Sequence, residues 1–336
     1  MVAPHDTVGR APELRVEPGV LDRLRADGSS RAVVVRDGRV RLDGDTVRRV
    51  AAADVGDAEW ALLGRDVDGA AVLLASVVPT TPEPPEAAVI TTEADAEERW
   101  LGLREVGGLL GPREWELLVS AVALAGWLRD TRFCPACGHA LEVRQAGWSK
   151  WCPQCGSEHF PRTDPAVIVA VESPDGERLL LGANANWGGR MHSCFAGFVE
   201  AGESLESTIH RELAEEAGVR LGEVSYVASQ PWPFPRSLMI GFRAVAVDDD
   251  ARADGEEIID VRWLTRAEIG SSLAGDGPVG LPSESSIARR LIRDWYEGRG
   301  RGAANQLSER SESKCGVLSE RSEPKCGVLS ERSESK

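Results

Sequence analysis

Basic side chains are scarce in this chain of 336 residues, in which 39 Lys and Arg stand against 54 Asp and Glu. The formal net charge of −15 argues against a broad phosphate-tracking surface, because non-specific nucleic-acid binding requires clustered cationic side chains. A polyanionic substrate would therefore have to be held locally, with metal ions as the natural counter-charge.

Long apolar runs are also missing. The longest one, residues 117–128, is too short to span a bilayer and is interrupted by Ser120. The first residues, MVAPHDTVGRAPELR, contain no apolar core of the length that a secretion signal needs. We therefore expect a cytoplasmic protein with no membrane partner.

Seven cysteines are an odd number, and four of them form two Cys-x-x-Cys pairs. In a chain without an export signal, this usage favours metal ligands over disulfides. The pairs Cys134-Pro-Ala-Cys137 and Cys152-Pro-Gln-Cys155 are 14 residues apart, which is the spacing of a zinc ribbon. Four thiolates would close a tetrahedral, structural Zn²⁺ site with no position left for a reactive water.

Two alternatives accompany this zinc site. A ribbon can also grip nucleic acid, but the side chains between the pairs are too few for a basic groove. Those side chains are Arg144, Trp148, Lys150 and Trp151. The neighbouring His139 and His159 could act as ligands, but because four cysteines already fill the site we interpret both as surface residues.

Composition divides the chain into five stretches. Residues 1–95 have alternating runs and turn dipeptides such as Asp37-Gly38, which predict a β-rich N-terminal domain that ends in a proline-rich linker at 79–86. In the helical connector, Pro112 begins a helix with one apolar face. This connector covers residues 96–130. The remaining three stretches are the zinc ribbon at 131–160, a hydrolase domain at 161–300 and a disordered tail of 11-residue repeats at 301–336.

Strand and helix patterns alternate after residue 161. A strand, a turn at Pro174-Asp-Gly176 and a second strand precede a helix at about 205–217. Further strands are predicted at about 222–228, 238–247 and 261–264, and an amphipathic helix at about 283–296. This order predicts an α/β fold.

The helix at about 205–217 carries two glutamates on its inward face. At about 100° per residue, Glu212 and Glu216 lie roughly 40° apart, in the sector that also contains Ile209 and Leu213. Acids beside a core repel each other and lose hydration, so their presence calls for compensation. Divalent cations supply that compensation directly. The alternative, a solvent-exposed helix with ordinary ion pairs, gives no reason for two glutamates on the inward face.

The segment around this helix resembles a complete Nudix box: Gly197, five residues, Glu203, seven residues, and then Arg211-Glu212-Leu213-x-Glu215-Glu216-x-Gly218-Val219. The resemblance implies a Nudix α/β/α sandwich that uses Mg²⁺ or Mn²⁺ to hydrolyse a nucleoside diphosphate linked to another moiety. It also implies catalytic or metal-ligating roles for Glu212, Glu215, Glu216, the carbonyl of Ala196 and, on a later loop, Glu257 in preference to Glu256. Arg211 would orient these acids or pair with Glu203.

Beyond the box, Ser229-Gln-Pro-Trp-Pro-Phe-Pro-Arg-Ser237 alternates prolines with two aromatic side chains. Prolines pre-set the backbone, so such a loop is stiff and can hold aromatic faces for stacking at small entropic cost. Together with the ribbon and the box, the string resembles the signature of the NADH pyrophosphatase subfamily of Nudix hydrolases. That resemblance implies cleavage of NADH, or NAD⁺, into nicotinamide mononucleotide and AMP by a homodimer, and in close relatives the removal of NAD caps from RNA.

The resemblance also implies a set of substrate contacts, most of them in this string and three at isolated positions. They are Gln230, Pro231, Trp232, Pro233, Phe234, Pro235, Arg236 and Ser237, with Phe160 as a base-stacking aromatic and Arg104 and Ala288 as weaker matches. Close to the box, we interpret Cys194 as a buried small residue and His192 as an exposed loop histidine.

Other functions remain open on the sequence. Free NAD(H) and NAD-capped RNA share the same scissile bond, so the residues do not indicate which of the two is the main substrate. A Nudix hydrolase of ADP-ribose or of dinucleoside polyphosphates would make the proline-aromatic string a coincidence. A catalytically inactive zinc-ribbon nucleotide-binding protein would have no need of the three box glutamates.

Overall fold

The computed structural model describes residues 9–77 and 99–299. The predicted linker at 79–86 and the repeat tail lie outside the described residues. Within them, no helix combines the length and the apolar character needed to cross a membrane. The predicted domain boundaries remain predictions.

The N-terminal part is built on a six-stranded sheet with strand order β6-β7-β1-β2-β8, with β5 pairing β1. Its strands and helices are α1 (Pro12–Arg15), α2 (Val20–Ala26), β1 (Arg31–Arg36), β2 (Arg39–Val40), β3 (Leu42–Asp43), β4 (Thr46–Val47), β5 (Val50–Ala51), β6 (Glu59–Arg65), β7 (Ala71–Val77), β8 (Leu101–Gly102), α3 (Leu103–Val106) and α4 (Pro112–Asp130). The hairpin predicted at Asp37-Gly38 is confirmed, because β1 and β2 pair antiparallel, and β6 and β7 form a second hairpin around Asp68-Gly69.

Helices cover both faces of this sheet. Alternating side chains of β7 divide between two cores: Leu74 packs with Leu118 of α4, and Leu73 packs with Leu24 of α2. The predicted connector helix is therefore one wall of the N-terminal core. Sequence patterns did not indicate α1 and α2, which are too short to show a helical period.

A three-stranded sheet follows, with β9 (Glu142–Arg144), β10 (Ser149–Trp151) and β11 (Glu158–His159) in the order β11-β10-β9. It packs closely on the N-terminal sheet. The Trp148 indole Nε1 donates to the Leu62 carbonyl at 2.7 Å. A Cβ on Gly147 would lie 2.3 Å from the Ala61 side chain, so only glycine permits this approach.

The C-terminal part has a second six-stranded sheet with strand order β15-β16-β12-β13-β17, with β14 pairing β12. Its elements are β12 (Asp164–Glu172), β13 (Arg178–Asn184), β14 (Phe195–Phe198), α5 (Leu205–Ala217), β15 (Leu221–Trp232), β16 (Ser237–Ala246), β17 (Ile258–Thr265), α6 (Arg266–Ala274) and α7 (Ile287–Tyr296). Strands β12 and β16 are parallel, and the other pairings are antiparallel.

Alternation along β12 places helices on both faces of this sheet. Val167 and Val169 share a core with Leu213 of α5, whereas Ile168 shares a core with Leu291 of α7. The predicted α/β/α sandwich is confirmed.

Two boundary predictions are wrong. The string at 229–237, predicted as a loop, continues strand β15 as far as Trp232, which pairs with Ser237. Proline is tolerated there because β15 is an edge strand, where a missing N–H need not break a ladder. We call residues 229–237 the proline hairpin. Helix α7 begins at Ile287 rather than at about 283, because the Ser286 hydroxyl caps it by accepting from Arg289 N.

Candidate active site

Helix α5 carries the predicted acidic cluster between two well-formed ends. The Ser204 hydroxyl accepts a hydrogen bond from Ser207 N at 3.1 Å, and Gly218 ends the helix in a left-handed conformation with φ 66°. Ile209 and Leu213 are fully buried beneath it. This anchoring fixes the direction in which the glutamates point.

Arg211 forms hydrogen bonds with three glutamates of the cluster. Its Nε donates to Glu203 Oε1 at 2.7 Å, and its Nη1 donates to Glu212 Oε1 at 2.8 Å and to Glu215 Oε2 at 3.1 Å. Its Nη2 also donates to the Phe198 carbonyl at 3.1 Å, which ties the helix to β14. The guanidinium holds the pKa of Glu203 down to about 2. Arg211 therefore orients the box acids, and its ion pair with Glu203 is present.

Glu216 is the most deeply buried acid of the cluster, with 5% of its surface exposed. Its Oε2 atom has no hydrogen-bond partner among the described residues. Burial, together with the charges of Glu212 and Glu257, raises the pKa of Glu216 to about 8. Burial also raises the pKa of Glu212, against the opposing effect of Arg211. An unpartnered buried carboxylate oxygen among other acids is a donor set that suits a divalent cation.

Gly197 allows Glu212 to lie against the sheet. A Cβ at this position would fall 1.9 Å from the Glu212 carboxyl carbon, so any side chain would displace the glutamate. Gly197 pairs with Val167 across β14 and β12, and Ala196 pairs with Ile168. Ala196, whose carbonyl is a predicted metal ligand, thus directly precedes Gly197, the residue that Glu212 contacts.

Glu257 lies on the loop before β17 and faces the same cluster, since its charge acts on both Glu212 and Glu216. Asn184 at the end of β13 also contacts it, with Nδ2 donating to Glu257 Oε1 at 3.3 Å. The structure therefore brings together the acids that the box and the later loop contribute.

Asp254 is a residue that sequence reasoning missed. Its Oδ1 accepts from the backbone N–H groups of Glu256, Glu257 and Ile258 at 2.8, 3.0 and 3.0 Å. Its own N–H donates to the Glu216 carbonyl at 3.3 Å, so it joins the end of α5 to the Glu257 loop. The available signal was the Asp-Gly turn at 254–255, where an Asp side chain commonly caps the following amides.

We expect Asp254→Ala to lower activity by about 10- to 100-fold, the usual cost of losing a group that orients a metal ligand. Asp254→Asn should retain most activity, because its side-chain oxygen can still accept from the three amides. The measurement is kcat/KM together with the divalent-metal concentration that gives half-maximal rate. Equal activity of Asp254→Ala and the parent protein would contradict this role.

The four predicted zinc ligands converge. Their Sγ atoms all lie within 4.8 Å of one another, with 3.6 Å between Cys134 and Cys155 and 3.4 Å between Cys137 and Cys152. A tetrahedral Zn²⁺ with bonds of 2.3 Å separates its sulfurs by about 3.8 Å, which this arrangement fits. Within the described ranges, the box carboxylates do not converge to that degree, and Arg211 lies between two of them.

The two cysteine turns are alike. In each, the glycine after the second cysteine has φ 74° and donates its N–H to the carbonyl of the first cysteine: Gly138 to Cys134 at 2.8 Å and Gly156 to Cys152 at 3.0 Å. Only glycine adopts this conformation at low cost. His159 Nε2 lies 3.4 Å from Cys134 Sγ, so this histidine is beside the sulfur cluster and is not simply a surface residue.

Lys150 does not provide a nucleic-acid contact. It is 2% exposed, and its Nζ donates to the carbonyls of Leu128 and Thr131 at 2.6 and 2.8 Å, where it caps the C-terminus of α4. Trp148, another candidate, is bound to the N-terminal sheet as described above. The ribbon therefore connects elements of the fold. Two of the four side chains that could have formed a nucleic-acid-binding surface are engaged in these internal contacts.

The prediction of an exposed His192 is wrong. Its side chain is 2% exposed, and its Nε2 lies 3.1 Å from Asp260 Oδ2, because the segment before β14 is covered by residues around Gly280. Cys194 is buried, as predicted, and burial raises the pKa of its thiol to about 12.

The aromatic side chains of the proline hairpin lie together. The Trp232 and Phe234 ring centroids are 5.0 Å apart, and the Arg104 guanidinium lies over Phe234 at 4.4 Å. Gln230 has both ends of its amide engaged, with Nε2 donating to the Ser285 carbonyl and Oε1 accepting from Ile287 N, both at 2.7 Å.

The other predicted substrate contacts are more scattered. Phe160 is 45% exposed, whereas Ser237 and Ala288 are buried at 6% and 5%. Arg236 Nε donates to Asp164 Oδ2 at 2.8 Å. Prolines 231, 233 and 235 line a cavity of about 720 Å³ between the hairpin and α4, whose lining does not include the box glutamates.

Phe198 is a second residue that sequence reasoning missed. It is 54% exposed, directly follows Gly197 at the end of β14, and its carbonyl accepts from Arg211 Nη2. An exposed large aromatic whose backbone is bound to the arginine of the acidic cluster suits a stacking role. The available signal was its position at the start of the box, after which β14 ends.

Two family models and several known proteins match this chain. Residues 162–280 match the NUDIX domain and residues 129–160 match the NADH pyrophosphatase zinc ribbon domain. The chain is 39% identical over 282 residues to the NAD-capped RNA hydrolase NudC of Mycobacterium bovis (strain BCG / Pasteur 1173P2), a match that covers 81% of this chain and 85% of that protein. It is 38% identical over 196 residues to the NAD-capped RNA hydrolase NUDT12 of Homo sapiens, covering 55% of this chain and 42% of that protein.

Among solved structures, a NUDIX hydrolase from Nitrosomonas europaea is 24% identical, with a TM-score of 0.42, over 51% of this chain and 94% of that one. The match to NudC extends over most of both proteins and includes the ribbon, the box and the proline hairpin. The chain therefore belongs to the Nudix hydrolases, in the group that carries an NADH pyrophosphatase zinc ribbon.

Proposed function

We propose that this chain is a metal-dependent NAD(H) diphosphatase that releases nicotinamide mononucleotide and AMP, and that it also removes NAD caps from RNA. The observation that carries the proposal is the buried, unpartnered Glu216 oxygen beside Glu212 and Glu257. The names of the matched relatives, which describe NAD-capped RNA hydrolases, support the choice of substrate.

We assign the catalytic cation to Glu212, Glu215, Glu216, Glu257 and the carbonyl of Ala196, with Mg²⁺ or Mn²⁺ as the metal. Hard oxygen donors of this kind prefer such cations. A bound cation would neutralise the phosphoryl oxygens and lower the pKa of the attacking water.

The chain's own groups have separate tasks in this reaction. Arg211 holds the carboxylates of Glu212 and Glu215 in place. Glu215, with 61% of its side chain exposed, and Glu257 are the two groups placed to take a proton from water. Gly197 keeps β14 close enough for these acids to meet the phosphates.

The proline hairpin lies along the same sheet as the box. Register places Gly197, Val167, Ile240 and Ser229 in one row across four strands. Trp232 is three residues further along its strand, so it lies about 17 Å from Gly197 at ordinary sheet spacings. That span is on the scale of an extended dinucleotide.

We propose that the substrate reaches from the acids toward this hairpin and is held by the predicted contacts. These are Arg104, Phe160, Gln230, Pro231, Trp232, Pro233, Phe234, Pro235, Arg236, Ser237 and Ala288. To them we add Phe198, whose exposed ring stands at the box. Because Ala288 and Ser237 have buried side chains, their contacts would come mainly from the backbone.

We further propose a cytoplasmic homodimer with structural Zn²⁺. Four converging thiols serve as ligands only where they stay reduced, which favours the cytoplasm. Exposed apolar rings at the site, including Phe160 and Phe198, are candidates for contact with a second copy.

The test is a product assay with NADH and with NAD-capped RNA in the presence of Mg²⁺ or Mn²⁺. AMP and the mononucleotide are the expected products of NADH, and 5′-monophosphate RNA is the expected product of the capped transcript. Glu216→Gln is the blank. ADP-ribose and dinucleoside polyphosphates complete the panel, and a higher kcat/KM for one of them would reject NAD(H) as the substrate.

A further inference from the structure

Trp187 is a large apolar side chain that the packing of the protein does not use. It is 42% exposed and belongs to none of the four hydrophobic cores. Within residues 9–77 and 99–299, its indole makes no hydrogen bond, aromatic contact or cation–π contact. An unpartnered tryptophan at the surface is typical of a contact site for a ligand.

The turn that carries Trp187 is fixed to the catalytic loop at its start. Asn184 ends β13, and its Oδ1 accepts from Asn186 N at 2.9 Å, which begins a single 3₁₀ turn. Ala185 N donates to the Glu257 carbonyl at 2.9 Å, and Asn184 Nδ2 donates to Glu257 Oε1 at 3.3 Å. Three residues span at most about 11 Å, so Trp187 lies close to the acidic cluster.

The other end of this turn is fixed as well. Gly189 has a φ of 71° and lies against Ile259, because a Cβ at this glycine would be 3.3 Å from Ile259 Cδ1. Gly280 N donates to the Arg190 carbonyl at 3.1 Å. We call residues 184–190 the tryptophan loop. Because both of its ends are held, it can present an aromatic face to a ligand at small entropic cost.

The acidic cluster lies between the tryptophan loop and the proline hairpin. Strand β14, which carries Gly197, pairs with β12 on the side of the hairpin. On the other side, the segment before β14 bonds to β13, where Gly182 and Ser193 exchange both backbone hydrogen bonds at 2.9 Å. The proposed dinucleotide site extends from the acids toward the hairpin, so the tryptophan loop faces a part of the substrate beyond the cap.

Arg190 adds a positive charge three residues after Trp187. It is exposed, and its guanidinium has no acidic partner in the part of the chain that the structure describes. Proteins bind single-stranded nucleic acid by stacking bases on aromatic rings beside cationic groups that contact the phosphates. In a chain with a net charge of −15, a local pair of this kind can take the place of a broad basic surface.

We propose that Trp187 stacks on the base of the nucleotide that follows the cap adenosine in NAD-capped RNA, and that Arg190 contacts the phosphate between these two nucleotides. Free NADH ends at the adenosine and has neither group. The tryptophan loop therefore distinguishes two substrates that share the same scissile bond. The inference deepens the proposed function and rests on it for its kinetic part.

The first measurement compares kcat/KM for NAD-capped RNA and for NADH. Trp187→Ala should lower the value for the RNA about tenfold, as expected for the loss of one stacked base, and change that for NADH less than about twofold. Trp187→Phe should retain most activity on the RNA, because it keeps an aromatic face. Tyr226→Ala, which removes an exposed aromatic ring from β15, is the matched control. An equal fall for both substrates would assign Trp187 to the support of Glu257 and overturn the proposal, as would no fall for either.

The second measurement identifies the groups of the RNA. A capped RNA with an abasic second nucleotide should be cleaved about tenfold less efficiently by the parent protein, and Trp187→Ala should cleave it as well as it cleaves the intact RNA. Two losses that multiply would show that Trp187 does not contact this base. Arg190→Gln should reduce the slope of log kcat/KM against log salt concentration by about one. An unchanged slope would contradict the phosphate contact.

The third measurement needs no cleavage. Fluorescence anisotropy gives the Kd of a 3′-labelled single-stranded RNA with a 5′-monophosphate, and Trp187→Ala should raise this Kd about tenfold. Should the parent protein fail to cleave capped RNA, the Kd still decides whether Trp187 contacts RNA. Cleavage of capped RNA together with a Kd that Trp187→Ala leaves unchanged would overturn the inference and leave the proposed function intact.

Discussion

Glu216→Gln is expected to reduce kcat/KM for NADH at least about 1,000-fold, equivalent to about 4 kcal/mol of transition-state stabilisation. Glutamine keeps the shape of the side chain but removes the negative charge that a divalent cation requires. The carboxylate has no partner for Oε2 among the described residues, so its placement has no evident purpose other than to hold a cation.

The same substitution should not destabilise the protein. Burial and like charges raise the pKa of Glu216 to about 8, so the buried acid opposes folding at neutral pH when no divalent cation is added. Removing it should increase the free energy of unfolding by about 1 kcal/mol under those conditions, because the folded chain has to keep this carboxyl protonated at a pH where the unfolded chain ionises it. The readout is the melting temperature of both proteins without Mg²⁺ or Mn²⁺.

The sign of the pH dependence follows from the raised pKa. Between about pH 4.5 and pH 8 the folded chain keeps a proton on Glu216 that the unfolded chain releases, so stability falls as pH rises through this window. Glu216→Gln should therefore flatten the slope of melting temperature against pH. Glu206→Gln, an exposed acid on the same helix, is the control. Retention of more than a tenth of the activity by Glu216→Gln would remove Glu216 from the catalytic centre.

Features of this site that lie within one segment of the chain were predictable from the sequence, and features that depend on packing between segments were not. Helix α5 was predicted with its bounds because its apolar period, its Ser204 cap and its Gly218 end lie within one segment. The inward direction of Glu216 followed from the same period. The contact of Gly197 with Glu212 depends on how β14 packs on α5, and no local pattern contains that distance.

Features that depend on distant partners were missed or misread. From the sequence, Lys150 is expected at the surface, whereas in the fold it is buried against the end of α4. His192 reads as an exposed loop residue until the chain around Gly280 covers it. The parallel pairing of β1 with β7 joins strands about 40 residues apart, which hairpin signals cannot reveal. Local patterns thus predicted the helix that carries the acids, whereas the contacts that support it depend on distant segments.

Removing zinc is expected to have the largest effect on stability. Structural Zn²⁺ sites of this type supply folding free energy of about 10 kcal/mol or more in isolated fingers, so the loss should lower the melting temperature by at least about 10 °C. The effect should spread beyond the ribbon, because Trp148 bonds to Leu62 of the N-terminal sheet and Lys150 caps α4. NADH hydrolysis should then fall at least about tenfold although no box acid is changed, since Phe234 of the proline hairpin packs against the core that α4 helps to form.

Two treatments separate this effect from loss of the catalytic cation. Cys152→Ser removes one sulfur permanently, and a strong chelator under reducing conditions removes the metal from the parent protein. Zinc content, melting temperature and exchange of the α4 amides should change together in both cases, and Mg²⁺ should not restore them. Cys315→Ser, outside the described residues, is the matched cysteine control. A protein that lost its zinc but kept its melting temperature and its α4 protection would show that the ribbon does not hold the N-terminal sheet in place.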